Sequence, residues 1–261
     1  MERFSLLQKV LPECAASAEA YDDDTAYPLF PEEASAVARS AESRRREFTT
    51  GRGCAHRALS GLGLPPAPVP RDGQRAPVWP AGVIGSITHC VGFRAAAVAR
   101  AGELAVLGID AEPHRPLPAR VGEEITVGGE RARLGVLCRE APRICWDTVL
   151  FSAKESVYKA WFPLTRAWLG FQDAEVGLRA DGTFAVRVLP AARAVLDTGP
   201  SGFAGRWLVG RGLVITSVTS VRWPARSRRG PAVPRYGTLR GARPPFNRGG
   251  VAVERNGERT A

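Results

Sequence analysis

No run of apolar residues in this chain approaches the roughly 20 that a membrane-spanning helix needs. The opening MERFSLLQKVLPECAASAEAYDDD turns acidic where a secretory signal stays apolar, so a cytoplasmic location is expected. Cysteine is sparse: Cys14, Cys54, Cys90, Cys138 and Cys145 are odd in number and form no Cys-x-x-Cys, which argues against a disulfide framework, a thiolate zinc site and redox chemistry. Histidine is limited to His56, His89 and His114, without the spacing of a zinc site. The glycine-rich turns that cradle phosphates in P-loop and dinucleotide-binding folds are missing, as is the Gly-x-Ser-x-Gly of a hydrolase nucleophile. No repeat of 20 to 50 residues marks a solenoid. Lysine is rarest among the charged residues: Lys9, Lys154 and Lys159 stand among 36 basic groups, and arginine serves elsewhere.

What is present is a mixed composition, 44% hydrophobic and 24% charged over 261 residues, enough for one large or two small globular cores. The net charge of +10 points first to nucleic acid. Its distribution redirects that reading. From Pro224 to Ala261 nine arginines face two glutamates, while residues 1–223 hold 27 basic and 24 acidic groups. The same 38 residues carry five prolines and six glycines with isolated apolar groups, so a disordered basic tail is expected at 224–261. No specific nucleic-acid or membrane partner is expected, since basic residues interleaved with aromatics are lacking upstream; a nucleic-acid-binding protein acting through the basic tail is the rival reading.

Before the tail the pattern is α+β. Residues 31–60 read as one helix rich in Ala, Glu and Arg that stops at Gly61 and Gly63 before a Pro-rich loop. Extended segments follow at 82–89, 94–99 and 103–110, then a helix over 146–161 and short strands at 174–178, 183–188, 206–209 and 213–221. This order divides into two halves, 1–105 and 106–223.

In Gly108-Ile-Asp110-Ala-Glu112 the carboxylates stand at i and i+2, so a strand projects both to one side, roughly 7 Å apart. In Phe151-Ser-Ala-Lys154-Glu155-Ser-Val-Tyr-Lys159, Glu155 and Lys159 share a helix face. Three hard oxygen donors favour magnesium. Blander readings stay open: Asp110 as a turn or cap residue, Ser152-x-x-Glu155 as a capping box, Glu155 with Lys159 as an exposed ion pair. Upstream, helical spacing puts Arg45, Arg52 and, less closely, Arg44 near one stripe, a landing for phosphates or a solvated charged face.

Four ordered segments are Arg45-Arg-Glu-Phe-Thr-Thr-Gly-Arg52-Gly-Cys-Ala-His-Arg-Ala-Leu59, Trp79-Pro-Ala-Gly-Val-Ile-Gly-Ser-Ile-Thr-His89-Cys90, Gly108-Ile-Asp110-Ala-Glu112 and Phe151 to Trp161. Together they resemble the 4'-phosphopantetheinyl transferase superfamily, in its actinobacterial carrier-activating type. The resemblance covers about residues 10–222. It implies a monomeric pseudodimer of two similar α+β halves with coenzyme A in the cleft between them. The implied chemistry is magnesium-dependent (manganese in its place) transfer of 4'-phosphopantetheine to a serine of apo acyl or peptidyl carrier domains of polyketide, fatty-acid or nonribosomal peptide synthases. Asp110, Glu112 and Glu155 match the metal-binding acids, and Glu155, Lys159 and Asp110 the catalytic set. Arg44, Arg52, the loop Arg71-Asp72-Gly73-Gln74, Thr88, His89, Asp110, Ala111, Glu155 and Lys159 match the coenzyme A site, His89 with an arginine serving the 3'-phosphate. Lys154 is expected to assist Lys159 in offsetting charge on the leaving group. A non-catalytic carrier-binding homologue is the alternative.

Overall fold

The computed structural model describes residues 5–23, 27–190 and 200–220; the tail at 224–261 lies outside them. Residues 1–222 form one compact unit. Three antiparallel strands make a small sheet in the order β1–β3–β2: β1 (Ala15–Ala20), β2 (Val83–Cys90) and β3 (Phe93–Arg100). Five more make a second antiparallel sheet in the order β4–β8–β7–β6–β5: β4 (Val106–Pro113), β5 (Ala174–Leu178), β6 (Thr183–Val188), β7 (Gly202–Gly210) and β8 (Leu213–Ser220). The α+β class read from sequence is the one found, and no helix among the described residues is long and apolar enough to cross a membrane.

The small sheet is buried on both faces, which explains why β3 reads as an unbroken Arg-Ala-Ala-Ala-Val-Ala rather than an alternation. Ala96 and Val98 pack under Cys54, Ala55, Ala58 and Leu59 of the long helix α2 (Glu42–Gly61). Their neighbours Ala95, Ala97 and Ala99 point the other way, onto Leu107, Ile109 and Ala111 of β4 and Ile215 of β8. The other face of β4 and β8 is covered by α5 (Trp146–Thr165), through Val149, Ala153, Val157, Ala160 and Trp161 against Val106, Val214 and Val218.

The two sheets meet without a main-chain ladder. Strand β4 is an edge strand, and its outward N–H groups would be exposed donors. The hydroxyls of Ser86 and Thr88, two apart on one face of β2, accept them: Ile109 N–H at 3.1 Å and Ala111 N–H at 3.1 Å.

Three parts of the element reading are corrected. The helix expected over 31–60 is two, α1 (Pro31–Ser35) and α2, because Ala41 is extended and Glu33 of α1 turns across α2 to His56. Strand β1 was not read, since Ala-Ala-Ser-Ala-Glu-Ala lacks the β-branched residues that mark a strand. The stretch after Pro113 holds two helices, α3 (Ala119–Ile125) and α4 (Glu130–Glu140), for which no register was legible.

Candidate active site at the seam between the sheets

Gly108 draws the site together. A Cβ at this position would lie 2.1 Å from the Ser156 carbonyl oxygen and 2.8 Å from the Ala160 amide nitrogen, so only glycine lets α5 lie directly on β4. The helix thereby carries Lys159 to Asp110, two residues along the strand. Lys159 Nζ donates to Asp110 Oδ1 at 2.6 Å and to Thr88 Oγ1 at 3.2 Å, and the Thr88 hydroxyl donates to the same Asp110 oxygen at 3.2 Å. Asp110 is 3% exposed, and its Oδ2 is buried with no hydrogen-bond partner among the described residues. An ionised oxygen in that position is costly unless a cation joins it.

The neighbouring carboxylates respond to the same crowding. Burial first, and then the charge of Asp110, push Glu155 up to about 7 and Glu112 up to about 8, with Lys159 opposing. Burial disfavours the Lys159 ammonium, but Asp110, Glu155 and Glu112 together outweigh it and raise its pKa. Three carboxylates thus share one ammonium, a negative pocket with hard oxygen donors and an orphaned Asp110 Oδ2, which is the chemistry of a divalent-cation site. Among the described residues no three acidic, histidine or cysteine side chains already close around one point. Lys159 takes the Asp110 Oδ1 bond, and the free donors are Oδ2 and the two glutamates.

A basic wall adjoins this pocket. Arg44 of α2 pairs with Glu47, its Nη1 lies 3.5 Å from His89 Nε2, and Glu47 Oε1 is 3.2 Å from His89 Nδ1. One turn on, the Phe48 ring carries two guanidinium groups, Arg52 at 4.4 Å and Arg71 at 4.5 Å from its centroid. Burial first, and then neighbouring arginines (Arg71 for Arg52, Arg44 and Arg75 for Arg71), push Arg52 and Arg71 down to about 10. Arg52 is 4% exposed, and its Nε has no hydrogen-bond partner among the described residues. His89 is pushed down to about 3 by burial and by Lys159, Arg44, Arg94 and Arg71, so it is neutral beside the cations. With Glu47 as the one carboxylate named among these groups, the chemistry of the wall suits a phosphate-bearing ligand.

The structure therefore brings together Arg44, Arg52, Arg71, His89, Thr88, Asp110, Glu112, Glu155 and Lys159. Arg45 is apart, exposed and 3.8 Å from Glu42. Ala111 buries its methyl in the core and spends its N–H on Thr88. Gly73 and Gln74 are exposed at a hairpin tip. Asp72 caps that hairpin through Oδ1 and pairs with Arg166 through Oδ2 at 2.6 Å. Lys154 is corrected outright. Its ammonium is buried against Glu130 at 2.9 Å and donates to the carbonyls of Ile125, Phe171 and Ala174, so it ties α3, α4 and β5 to α5 and does not face the site. Glu47, Phe48 and Ser86 were missed: helical spacing could have paired Glu47 with Arg44 and Phe48 with Arg52, but His89, Arg71 and Ile109, which bring the three into the site, are distant in sequence.

Known proteins align with this arrangement. A family model described as the 4'-phosphopantetheinyl transferase N-terminal domain matches residues 32–99, and one described as the 4'-phosphopantetheinyl transferase superfamily matches residues 106–205. The chain is 48% identical over 217 residues to the 4'-phosphopantetheinyl transferase Svp of Streptomyces mobaraensis, covering 82% of this chain and 88% of the relative. It is 44% identical over 223 residues to the transferase PptT of Mycobacterium tuberculosis, covering 82% and 97%. It is also 32% identical over 198 residues to the enterobactin synthase component D of Salmonella typhimurium, covering 74% and 80%. With both successive family models matched and relatives aligned over most of their length, the chain belongs to the 4'-phosphopantetheinyl transferase superfamily.

Proposed function

We propose that this protein transfers 4'-phosphopantetheine from coenzyme A to a serine hydroxyl of an apo acyl or peptidyl carrier domain, releasing adenosine 3',5'-bisphosphate. One observation carries the reading: the anion-seeking wall of Arg44, Arg52, Arg71 and His89 adjoins the pocket in which Lys159 and three carboxylates converge. A diphosphate bearing a further phosphate suits the wall, and its reacting phosphorus suits the pocket.

The serine oxygen bonds to the phosphorus nearest pantetheine, the bridging P–O bond breaks, and its electron pair leaves with the adenosine bisphosphate. Such a displacement asks for alignment and charge neutralisation more than for an enzyme nucleophile. Arg44, Arg52 and Arg71 hold phosphate oxygens, with His89 and Arg44 on the 3'-phosphate. Lys159 sets a fixed ammonium beside the diphosphate. Glu155, at about 7 in the metal-free site, takes the serine proton directly or through water. Asp110 orients Lys159, and Thr88 orients Asp110. Asp110, Glu112 and Glu155 would hold magnesium, or manganese in its place, which when bound supplies further neutralisation of the diphosphate. The carrier docks on the α3–α4 side, where Val136 is 43% exposed. The protein works as a monomer in the cytoplasm.

The test is intact-mass measurement of an apo carrier incubated with coenzyme A, magnesium and the full chain. A gain of one phosphopantetheine is expected, with Asp110→Ala and Glu155→Gln inactive yet folded by circular dichroism. Full transfer by either variant would overturn the site.

A further inference from the structure

Strand β4 and helix α5 bring the carboxylates of the candidate site from two separate stretches of chain. The apolar face of α5 presses the helix onto the second sheet, but such packing has no direction of its own. A directional attachment lies at the start of the helix. Where β4 ends, the sequence runs Glu112-Pro113-His114-Arg115-Pro116-Leu117. Proline fixes its own φ and holds the residue before it extended, so Glu112 and Arg115 are both restricted and the segment is stiff. Three of its groups bond to the N-cap and first turn of α5. His114 Nε2 accepts from the Cys145 N–H at 3.0 Å, the Arg115 carbonyl accepts from Thr148 Oγ1 at 2.5 Å, and the Leu117 N–H donates to Asp147 Oδ2 at 2.7 Å. The His114 N–H donates in turn to the Gly212 carbonyl at 2.8 Å, so this one residue joins the end of β4, the β7–β8 turn and α5.

The start of a helix leaves main-chain N–H groups without helical partners, and a polar N-cap side chain ordinarily takes one of them. The N-cap of α5 is Cys145, whose side chain makes no capping bond. The end of the helix is instead tied by an imidazole 31 residues back in the chain. An imidazole accepts only at the nitrogen without a hydrogen, so the bond has one geometry and fixes the angle at which the helix leaves β4. Glu112 stands two residues before His114, and Glu155 ten residues after Cys145, about 15 Å along the helix at 1.5 Å per residue. Loss of the bond lets the start of α5 and the end of β4 move apart, and Glu112 and Glu155 lose their mutual placement. The basic wall is built on α2, β2 and the loop between them, and keeps its own supports.

We infer that His114 is a positioning residue for the transfer reaction, holding Glu112 and Glu155 in their working arrangement through its bond to the start of α5. The inference rests on the transferase reading above. It is tested on the full chain by steady-state transfer to an apo carrier and by calorimetric titration with coenzyme A without added metal. The variants are His114→Leu, which removes the acceptor, and His114→Gln, whose side-chain oxygen replaces Nε2. His114→Leu should lower kcat about tenfold and raise the magnesium concentration for half-maximal rate about fivefold, while the KM and the calorimetric Kd for coenzyme A change less than about twofold. His114→Gln should recover kcat to within about threefold of wild type, because the acceptor is restored. Unchanged kcat in His114→Leu, a glutamine variant no better than the leucine one, or equal losses in kcat and in coenzyme A affinity would overturn the inference. If His114→Leu does not fold by circular dichroism, Thr148→Val, which removes the adjoining bond to the Arg115 carbonyl, is read by the same kinetics, and wild-type kcat there overturns the inference. A wild-type chain that transfers nothing to any apo carrier would instead overturn the transferase reading itself.

Discussion

Lysine and arginine divide the labour in this molecule according to their shapes. The two lysines of α5 are point charges set five residues apart, and their surroundings give them opposite tasks. Lys154 is sealed among carbonyls and Glu130, whereas Lys159 is 26% exposed and reaches Asp110. Two of the arginines, Arg52 and Arg71, with planar forks that stack, line Phe48, a geometry that suits the proposed phosphate contacts. His89 belongs with them: burial and four neighbouring cations keep it neutral, and the proposed 3'-phosphate would offset those cations. His89→Ala should therefore weaken coenzyme A binding about tenfold and 3'-dephospho-coenzyme A binding far less, as measured by calorimetry. Equal losses for the two ligands would remove His89 from the 3'-phosphate.

Elements, rather than single side chains, set the separation between the reacting groups. The approach of α5 to β4 hangs on Gly108, where even a methyl group meets backbone rather than a flexible side chain. Gly108→Ala should cost about 1–3 kcal/mol or more in denaturant melts and lower transfer sharply, because the helix must lift and take Glu155 and Lys159 with it. Across the small sheet, Glu33 fastens α1 and the Pro-rich loop to α2: it is fully buried and accepts from His56 at 2.8 Å, Val69 N–H at 2.8 Å and Phe30 N–H at 3.0 Å. Burial alone would raise its pKa, but these donors outweigh it and hold the carboxyl below its ordinary 4.5. A carboxylate lowered in the folded state stabilises above its unfolded pKa and ceases to do so as pH falls through the folded value. Glu33→Gln should thus cost about 1–3 kcal/mol near neutral pH, with the gap between variant and wild type narrowing in thermal melts below about pH 4.5. A gap that stayed constant with pH would show that the charge is not what matters.

The whole molecule separates its bulk charge from its chemistry. Seven of the ten net positive charges fall in residues 224–261, beyond both family matches, while residues 1–222 form the compact unit that holds the candidate site. A chain ending at Arg222 should keep its transfer rate within about twofold and lose salt-sensitive retention on heparin. Loss of transfer on truncation would give the tail a part in the reaction. Reading the chain from sequence worked where signals are local: the spacing of Asp110 and Glu112 on a strand and the helix face of Glu155 and Lys159 depend on periodicities of 2 and 3.6. Those readings suffice for the α+β class and for the carboxylates and lysine of the candidate site. Other features depend on partners far along the chain. Lys154 becomes structural because carbonyls 17 to 29 residues away surround it, and β1 is a strand because β3 offers it a ladder. The hairpin that carries Arg71 is fastened by Asp72 to Arg166, 94 residues away. Local propensity chooses helices and strands, but burial and hydrogen-bond satisfaction, which decide what each charged group does, are set only when distant segments meet.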